Sequence, residues 1–395
     1  MSTNSHQRYH SLISHQVNQL SPSGIRRFFD LIASMEGVIS LGVGEPDFVT
    51  PWHICEAAIY SLEKGYTMYT SNLGMPELRQ ELSRYLRESY NLAYDPDKEL
   101  LITVGVSEAL DLAMRAILNP GDEVIMPDPC YVSYNPCVVL AGGSPIMVPT
   151  NQENNFEVRA VDIEAEVTDK TKAILIGYPA NPTGAVMSRD KLAQIAEVAR
   201  RHRLLVISDE IYAKLVYGVE HTCFATLPEM KEDTIFLGGF SKAYAMTGWR
   251  IGYAAANEEI IDSMNKIHQY TMLCAPIMGQ IAAIEALRAG EASTAEMVEE
   301  YNRRRLVIVK GLNDIGLSCF EPRGAFYAFP SIKVTGMTSE EFAERLLVEE
   351  KVAVVPGTAF GECGEGYIRC CYATSLADIE EALSRMKRFV SKHKK

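Results

Sequence analysis

Between Phe240 and Gly252 the chain reads FSKAYAMTGWRIG, and three of these residues have the types and spacing for covalent chemistry on an anionic ligand. Lys242 brings a primary amine, Ser241 a hydroxyl and Arg250, eight residues on, a guanidinium. A carbonyl compound that carries a phosphate requires that set: an amine to form the imine, and a hydroxyl and a guanidinium fork to hold the anion. The stretch follows the apolar run Thr234-Ile-Phe-Leu237, which has the length and composition of a buried strand. The paired glycines Gly238 and Gly239 are expected to end that run, which puts Lys242 at a strand exit on a tight loop. A surface lysine beside a structural arginine would give the same Ser-Lys pair, so the reading depends on the rest of the chain.

Four further residues could complete such a site. In the run from Leu204 to Tyr212, LLVISDEIY, apolar residues place Ser208 and Asp209 near the carboxyl end of a buried strand, where an acid is costly unless a positive partner meets it. A protonated heteroaromatic nitrogen is one such partner; the N–H groups of a following helix are another. Asn181, in Asn-Pro-Thr-Gly184, offers an amide to a phenolic oxygen or a carboxylate, or caps a local turn. Tyr131, in Asp128-Pro-Cys-Tyr131, offers a flat face to a ring or packs into the core. Arg369 stands in the otherwise apolar or aromatic segment from Gly366 to Ala373. Its fork fits a carboxylate with two parallel hydrogen bonds, whether that of a ligand or of an internal acid.

These residues need elements to hold them. The stretches 23–35, 52–64 and 76–90 read as helices, the last with Pro76 in its first turn and Leu78, Leu82 and Leu86 on one face. The loop GVGEPDF from Gly42 to Phe48 is barred from regular structure by Gly42, Gly44 and Pro46, and it lets backbone approach a ligand closely. A strand at 101–104, then Gly105, then a helix over 107–118 makes a turn whose unpaired amide protons and helix dipole suit an anion at Ser107. Strands at 123–126, 145–148, 173–177, 204–208 and 234–237, with a helix at 189–201, imply a mostly parallel sheet between helices, hence an α/β fold. In such sheets ligands gather beyond the carboxyl ends of the strands. After Gly252 the pattern turns helical (258–289 in two pieces, 294–312, 339–350 and 376–391), with short strands at 352–355 and 367–371. The expected division is a large domain over 45–290, and a smaller α+β domain from 1–44 and 291–395.

Composition narrows the classes. With 395 residues, 47% apolar and 23% charged, the chain has a globular balance. A net charge of −13 and no basic run beyond Arg303–Arg305 argue against nucleic acid as a partner. No window reaches the roughly 18 uninterrupted apolar residues of a membrane span. The opening residues lack the apolar block of a secretory signal. Nine cysteines, an odd number without a CxxC pair, read as reduced thiols of a cytoplasmic enzyme. The eight histidines lack ligand spacing, so no metal site is expected.

Taken in order, LGVGEPDF, YTSNLG, TVGVSEAL, DPCYVSY, YPANPTG, SDEIY, GGFSKAYAMTGWRIG, PRGAFYAF and YIRCCYA closely resemble the class I/II aminotransferases of the fold-type I pyridoxal 5′-phosphate enzymes. The branch resembled is that of aspartate, aromatic and broad-specificity aminotransferases. The resemblance implies that Lys242 binds the cofactor aldehyde covalently and carries the Cα proton. It implies that Asp209 pairs with the ring nitrogen, that Tyr212 and Asn181 hydrogen-bond the ring hydroxyl, and that Tyr131 stacks on the ring. Many aspartate-directed members carry Trp at that last place. The phosphate falls to Ser241, Arg250 and the turn of Val106, Ser107 and Glu108, with Val106 where a smaller residue is usual. Tyr69 would reach in from the other subunit of a homodimer. Arg369 would clamp the substrate α-carboxylate, helped by Asn181 and the backbone of Gly44.

The implied reaction moves the amino group of an L-amino acid to a 2-oxo acid, 2-oxoglutarate being the expected acceptor, by a ping-pong route. A carbon–sulfur β-lyase of the same cofactor and fold is the alternative; a cofactor-binding regulator would need a DNA-binding module, and no basic helix-turn-helix segment is present. Arg115 would meet the distal carboxylate of a dicarboxylic substrate or pair at the surface. An aromatic lining of Tyr66, Tyr131 and Tyr327 would suit aromatic or broad specificity.

Overall fold

The computed structural model describes residues 12–20 and 35–394. The helix expected over 23–35 falls outside them except for its last residue. The strands in chain order are β1 (Ile39–Ser40), β2 (Leu100–Thr103), β3 (Glu123–Asp128), β4 (Ser144–Pro149), β5 (Thr171–Ile176), β6 (Leu205–Asp209), β7 (Thr234–Gly239), β8 (Gly252–Ala255), β9 (Tyr327–Ala328), β10 (Val352–Ala353), β11 (Val355–Pro356) and β12 (Ile368–Cys371). Seven of them form one sheet in the order β2-β8-β7-β6-β5-β3-β4. Its pairs are parallel except for β8, which runs antiparallel to both β2 and β7.

Side chains leave a strand on alternate faces. Along β5, Ala173 and Leu175 join one apolar cluster, while Ile174 and Ile176 join another. The helices Gly105–Ile117 and Glu258–Thr271 supply the first cluster and Arg189–His202 the second. Burial on both faces is why these strands read as unbroken apolar runs rather than alternating ones. Each such side chain contributes about 1.5–3 kcal/mol by leaving water.

The sheet departs from the sequence reading at β7 and β8. Gly238 and Gly239 continue β7, pairing with Tyr253 and Gly252. A Cβ on Gly238 would lie 2.3 Å from the Tyr253 ring, and one on Gly239 2.7 Å from Val106 Cγ2, so the glycines serve close approach and do not end the strand. The four-residue β8, three of its residues alanine or glycine, carries little intrinsic strand preference; burial between β2 and β7 makes it a strand. The short helices Tyr134–Leu140 and Ala160–Ala165 were likewise absent from the periodicity.

Because β8 starts at the edge where β7 ends, the residues just before β8 return to the loops that follow β2, β3, β5, β6 and β7. Two smaller sheets stand beside this edge: β11-β12-β9, antiparallel, and β1-β10, parallel. Leu41 O accepts from Cys371 N–H at 2.7 Å, tying the segment after β1 to β12. The helices Glu291–Ile315 and Leu376–His393 pack against each other, the second opened by Ser375, whose hydroxyl accepts from Asp378 N–H at 3.1 Å.

Candidate active site

An anion seat is built where β2 meets the helix Gly105–Ile117. Gly105 takes φ +75°, and a Cβ there would strike Arg250 Nη2 at 2.5 Å. A Cβ on Gly252 would lie 2.5 Å from Gly105 C and Val106 N. Two glycines thus let the turn press onto the start of β8 with the Arg250 guanidinium against it. Arg250 is itself left-handed at φ +57° and gives one N–H to Thr247 O at 3.2 Å. Among the described residues no carboxylate pairs with it, and the first-turn N–H groups beside Ser107 and Ser241 face the same space. A doubly charged phosphate suits that set, because helix-terminal amides, hydroxyls and a guanidinium all donate.

Lys242 and Asp209 line the same cavity, of about 590 Å³. Lys242 Nζ donates to Gly44 O at 2.6 Å. Burial, with Arg369 and Arg250 nearby, pulls its ammonium down to about 8 against the partial restoring effect of Cys371 and Glu45. At pH 7 about a tenth of the amine is then unprotonated and nucleophilic, far more than for an exposed lysine. Asp209, the last residue of β6, accepts from Tyr134 Oη at 2.8 Å and from Ile211 N–H at 3.2 Å. Burial still pushes its carboxyl up to about 6, against the lowering by those two donors. A buried acid held by neutral donors, with no ion pair among the described residues, calls for a positive ligand group.

The opposite wall is carried by Arg369 on β12. One terminal nitrogen donates to Asn181 Oδ1 at 2.8 Å and the other to Gly42 O at 2.7 Å. Of the five guanidinium N–H bonds three are left over, one on each terminal nitrogen and that on Nε, which has no partner among the described residues, so Arg369 keeps donors for a carboxylate. The guanidinium lies between the rings of Tyr327 and Phe360, 4.5 and 4.8 Å from their centroids. Among the described residues it pairs with no acid, so the internal ion pair left open by the sequence is absent. Asn181 spends its oxygen on Arg369, which leaves its NH₂ as the group it can still donate. Tyr212 Oη lies 2.6 Å from Tyr327 Oη, and Tyr327 Oη 3.5 Å from Gly44 O.

The cavity thus gathers Lys242, Asp209, Tyr212, Asn181, Tyr131, Val106, Ser107, Ser241, Arg250, Arg369 and Gly44. Glu108 points elsewhere: its carboxylate bonds Val104 N–H and His268, outside the cavity lining. Tyr69 is 80% exposed and stands outside it in this chain. Arg115 pairs with Asp111 at 2.9 Å on an exposed helix face. Of the aromatic lining, Tyr131 and Tyr327 belong to the cavity and Tyr66 does not. Sequence reasoning missed Tyr134, whose place three residues after Tyr131 is the only signal it gives, and Glu45 and Thr247, which meet at 3.1 Å across the mouth. Among the described residues no cluster of His, Cys, Asp and Glu could hold a metal ion.

A flat aromatic aldehyde bearing a phosphate fits this arrangement: amine, ring-nitrogen partner, anion seat and ring face border one space. The lone carboxylate of Asp209 and the glycine-cleared turn are the features such a group would complete.

Comparison with known proteins agrees. A family model described as aminotransferase class I and II matches residues 36–386. The Bacillus subtilis protein YugH is 59% identical over 382 residues, covering 97% of this chain and 99% of YugH. An aspartate aminotransferase of Pyrococcus abyssi is 47% identical, with 97% of this chain and 99% of that protein covered. The crystal structure of an aromatic aminotransferase from Pyrococcus horikoshii superposes with a TM-score of 0.89 at 44% identity, over 93% of this chain and 99% of that one.

Proposed function

The chain belongs to the class I and II aminotransferases, and from that premise we propose how its residues divide the work of a pyridoxal phosphate-dependent transamination. The observation that carries the division is that Lys242, Asp209, Arg250 and Arg369 border one cavity. When bound, the cofactor supplies an electron sink for the pair left on the substrate Cα as its proton departs. Lys242 Nζ, kept partly unprotonated by burial, would hold the cofactor aldehyde until the substrate amine displaces it, and the freed amine would then take and return that proton. Asp209 faces the ring nitrogen and holds its proton in place. Tyr212 Oη and the Asn181 amide hold the phenolic oxygen, while Tyr131 covers a ring face.

Ser241, Arg250 and the N–H groups of Val106, Ser107 and Glu108 seat the phosphate; for Glu108 the backbone alone is available. Arg369 receives the α-carboxylate on its unused N–H bonds, with Asn181 beside it. The Gly44 carbonyl, which accepts from both Lys242 and Tyr327, sets where the amine waits.

The donor range we propose is that of the named relatives, aspartate or aromatic amino acids, with 2-oxoglutarate as acceptor. The chain is divided into a large domain, 45–290, and a smaller one from 1–44 and 291–395. It works in the cytoplasm as a homodimer in which Tyr69 of each copy reaches the phosphate of the other. Tyr69, Trp52 and Tyr270, all strongly exposed in the single chain, support an interface of that kind. No helix among the described residues is long and apolar enough to cross a membrane.

A donor panel run against 2-oxoglutarate, oxaloacetate and pyruvate tests the reading. Amino acid alone should convert the bound cofactor to its amine form with one equivalent of 2-oxo acid released. Ammonia and pyruvate appearing without an acceptor would replace this reading with that of a β-lyase.

A further inference from the structure

Glu108 lies in the first turn of the helix Gly105–Ile117 and its backbone N–H belongs to the phosphate seat, yet its side chain takes no part in the cavity. One carboxylate oxygen accepts from the N–H of Val104, the residue that caps the helix, and the other lies 2.6 Å from His268 Nδ1. Both side chains are sealed from solvent, His268 at 0% and Glu108 at 8% exposure. The carboxylate accepts at both oxygens, so Nδ1 carries the proton it shares. Nε2 of His268 has no partner among the described residues, so the imidazole spends its hydrogen bonding on Glu108.

A first-turn acid ordinarily satisfies itself on the amide protons of the helix start. Here those protons are the ones a phosphate needs, and a carboxylate swung onto them would add a like charge to the seat. Gly105 and Gly252 press the turn from the side of β8; Glu108 and His268, on the helix Glu258–Thr271, hold it from the other. We infer that Glu108 and His268 are a positioning pair for the phosphate seat, fixing where the helix begins and keeping the carboxylate off its free amides. The inference rests on the assignment of the backbone N–H groups of residues 106–108 to that seat.

The experiment compares, by absorbance titration of the full chain, dissociation constants for pyridoxal phosphate and for pyridoxal, which lacks the phosphate. His268→Ala should weaken pyridoxal phosphate about tenfold, the scale of one hydrogen bond to a charged group, and leave pyridoxal within about twofold. Glu108→Ala should shift the same ratio in the same direction. His268→Asn, whose amide can donate from the place of Nδ1, should recover most of the preference. A general loosening of the fold would weaken both compounds alike and overturn the inference. So would an unchanged ratio in both alanine variants. Arg250→Ala separates the two levels: if it lowers the preference for the phosphate while His268→Ala does not, the seat stands and the pair has no part in it. If neither variant moves the ratio, the seat itself is misassigned.

Discussion

On the floor of the cavity, Ser241, Lys242, Arg250 and Asp209 all lie within three residues of a strand end in one seven-stranded sheet. At the rim, Gly44, Asn181, Tyr327 and Arg369 arrive from four segments far apart in the chain, three of them outside that sheet. The floor is fixed by backbone: ladder hydrogen bonds and glycines that admit no side chain at Gly105, Gly239 and Gly252. The rim is fixed by side chains reaching across, such as Arg369 to Asn181 and Gly42, and Arg304 to Asp47 at 2.8 and 2.9 Å. A floor of that kind suits groups that do one chemistry on every substrate. A rim stitched by side chains can change its lining without disturbing the sheet.

If this contrast holds, floor substitutions strike turnover and rim substitutions strike substrate affinity. Lys242→Ala, the largest effect, should remove the visible absorbance of lysine-bound cofactor and lower kcat by at least about 10⁴-fold, as expected for a proton carrier that is also the nucleophile. Retention of the spectrum with the wild-type rate would end the assignment. Asp209→Asn should lower kcat by on the order of 10²–10³-fold, the cost of leaving a buried positive group unpaired.

The same substitution should act with the opposite sign on the stability of the cofactor-free protein. Burial raises the folded-state pKa of Asp209 to about 6, above that of an unfolded carboxyl. Its contribution to stability is therefore whole below about pH 4 and is lost as the pH rises through the folded value. Melting of the cofactor-free protein should show Asp209→Asn more stable than wild type at pH 8 and no different at pH 4; a destabilised variant at pH 8 would count against a lone buried charge.

At the rim, Arg369→Lys keeps the charge and loses the fork, so KM for the amino donor should rise by about 10–100-fold with a smaller change in kcat. Arg304→Ala, which touches no part of the cavity lining, should raise KM by about three- to tenfold by freeing the 42–48 loop, with cofactor affinity unchanged. A fall in kcat alone would show that the loop serves the floor as well. The smallest effect belongs to Tyr134→Phe. Losing a 2.8 Å donor to Asp209 should cost kcat about twofold and move the carboxyl titration of the cofactor-free protein above 6, measurable by infrared spectroscopy.

The floor was the more legible half because its signals are local. Apolar runs of strand length, glycines and one reactive side chain after each run locate Lys242, Asp209 and Ser107 without knowledge of neighbours. The reading faltered where glycine has two meanings: Gly238 and Gly239 could end a strand or admit Tyr253 and Val106, and only the packed neighbours choose. Tyr134 gave almost no signal, its spacing from Tyr131 apart, because its partner is 75 residues away at the end of β6. Glu108 looked like part of the anion turn by position, and its rotamer, set by His268 160 residues away, took it out.

By itself the sequence determined the α/β layering, the strand-end places of the amine and the acid, and an arginine in an apolar strand suited to a carboxylate. Those follow from periodicity and from the cost of burying charge, which act over a few residues. The tertiary structure decided which N–H bonds of Arg369 remain free, how far burial moves Lys242 and Asp209, and that β8 runs against its neighbours to return Arg250 to the site. Those depend on desolvation and on donors brought from distant parts of the chain, and they come into being only when the chain closes around them.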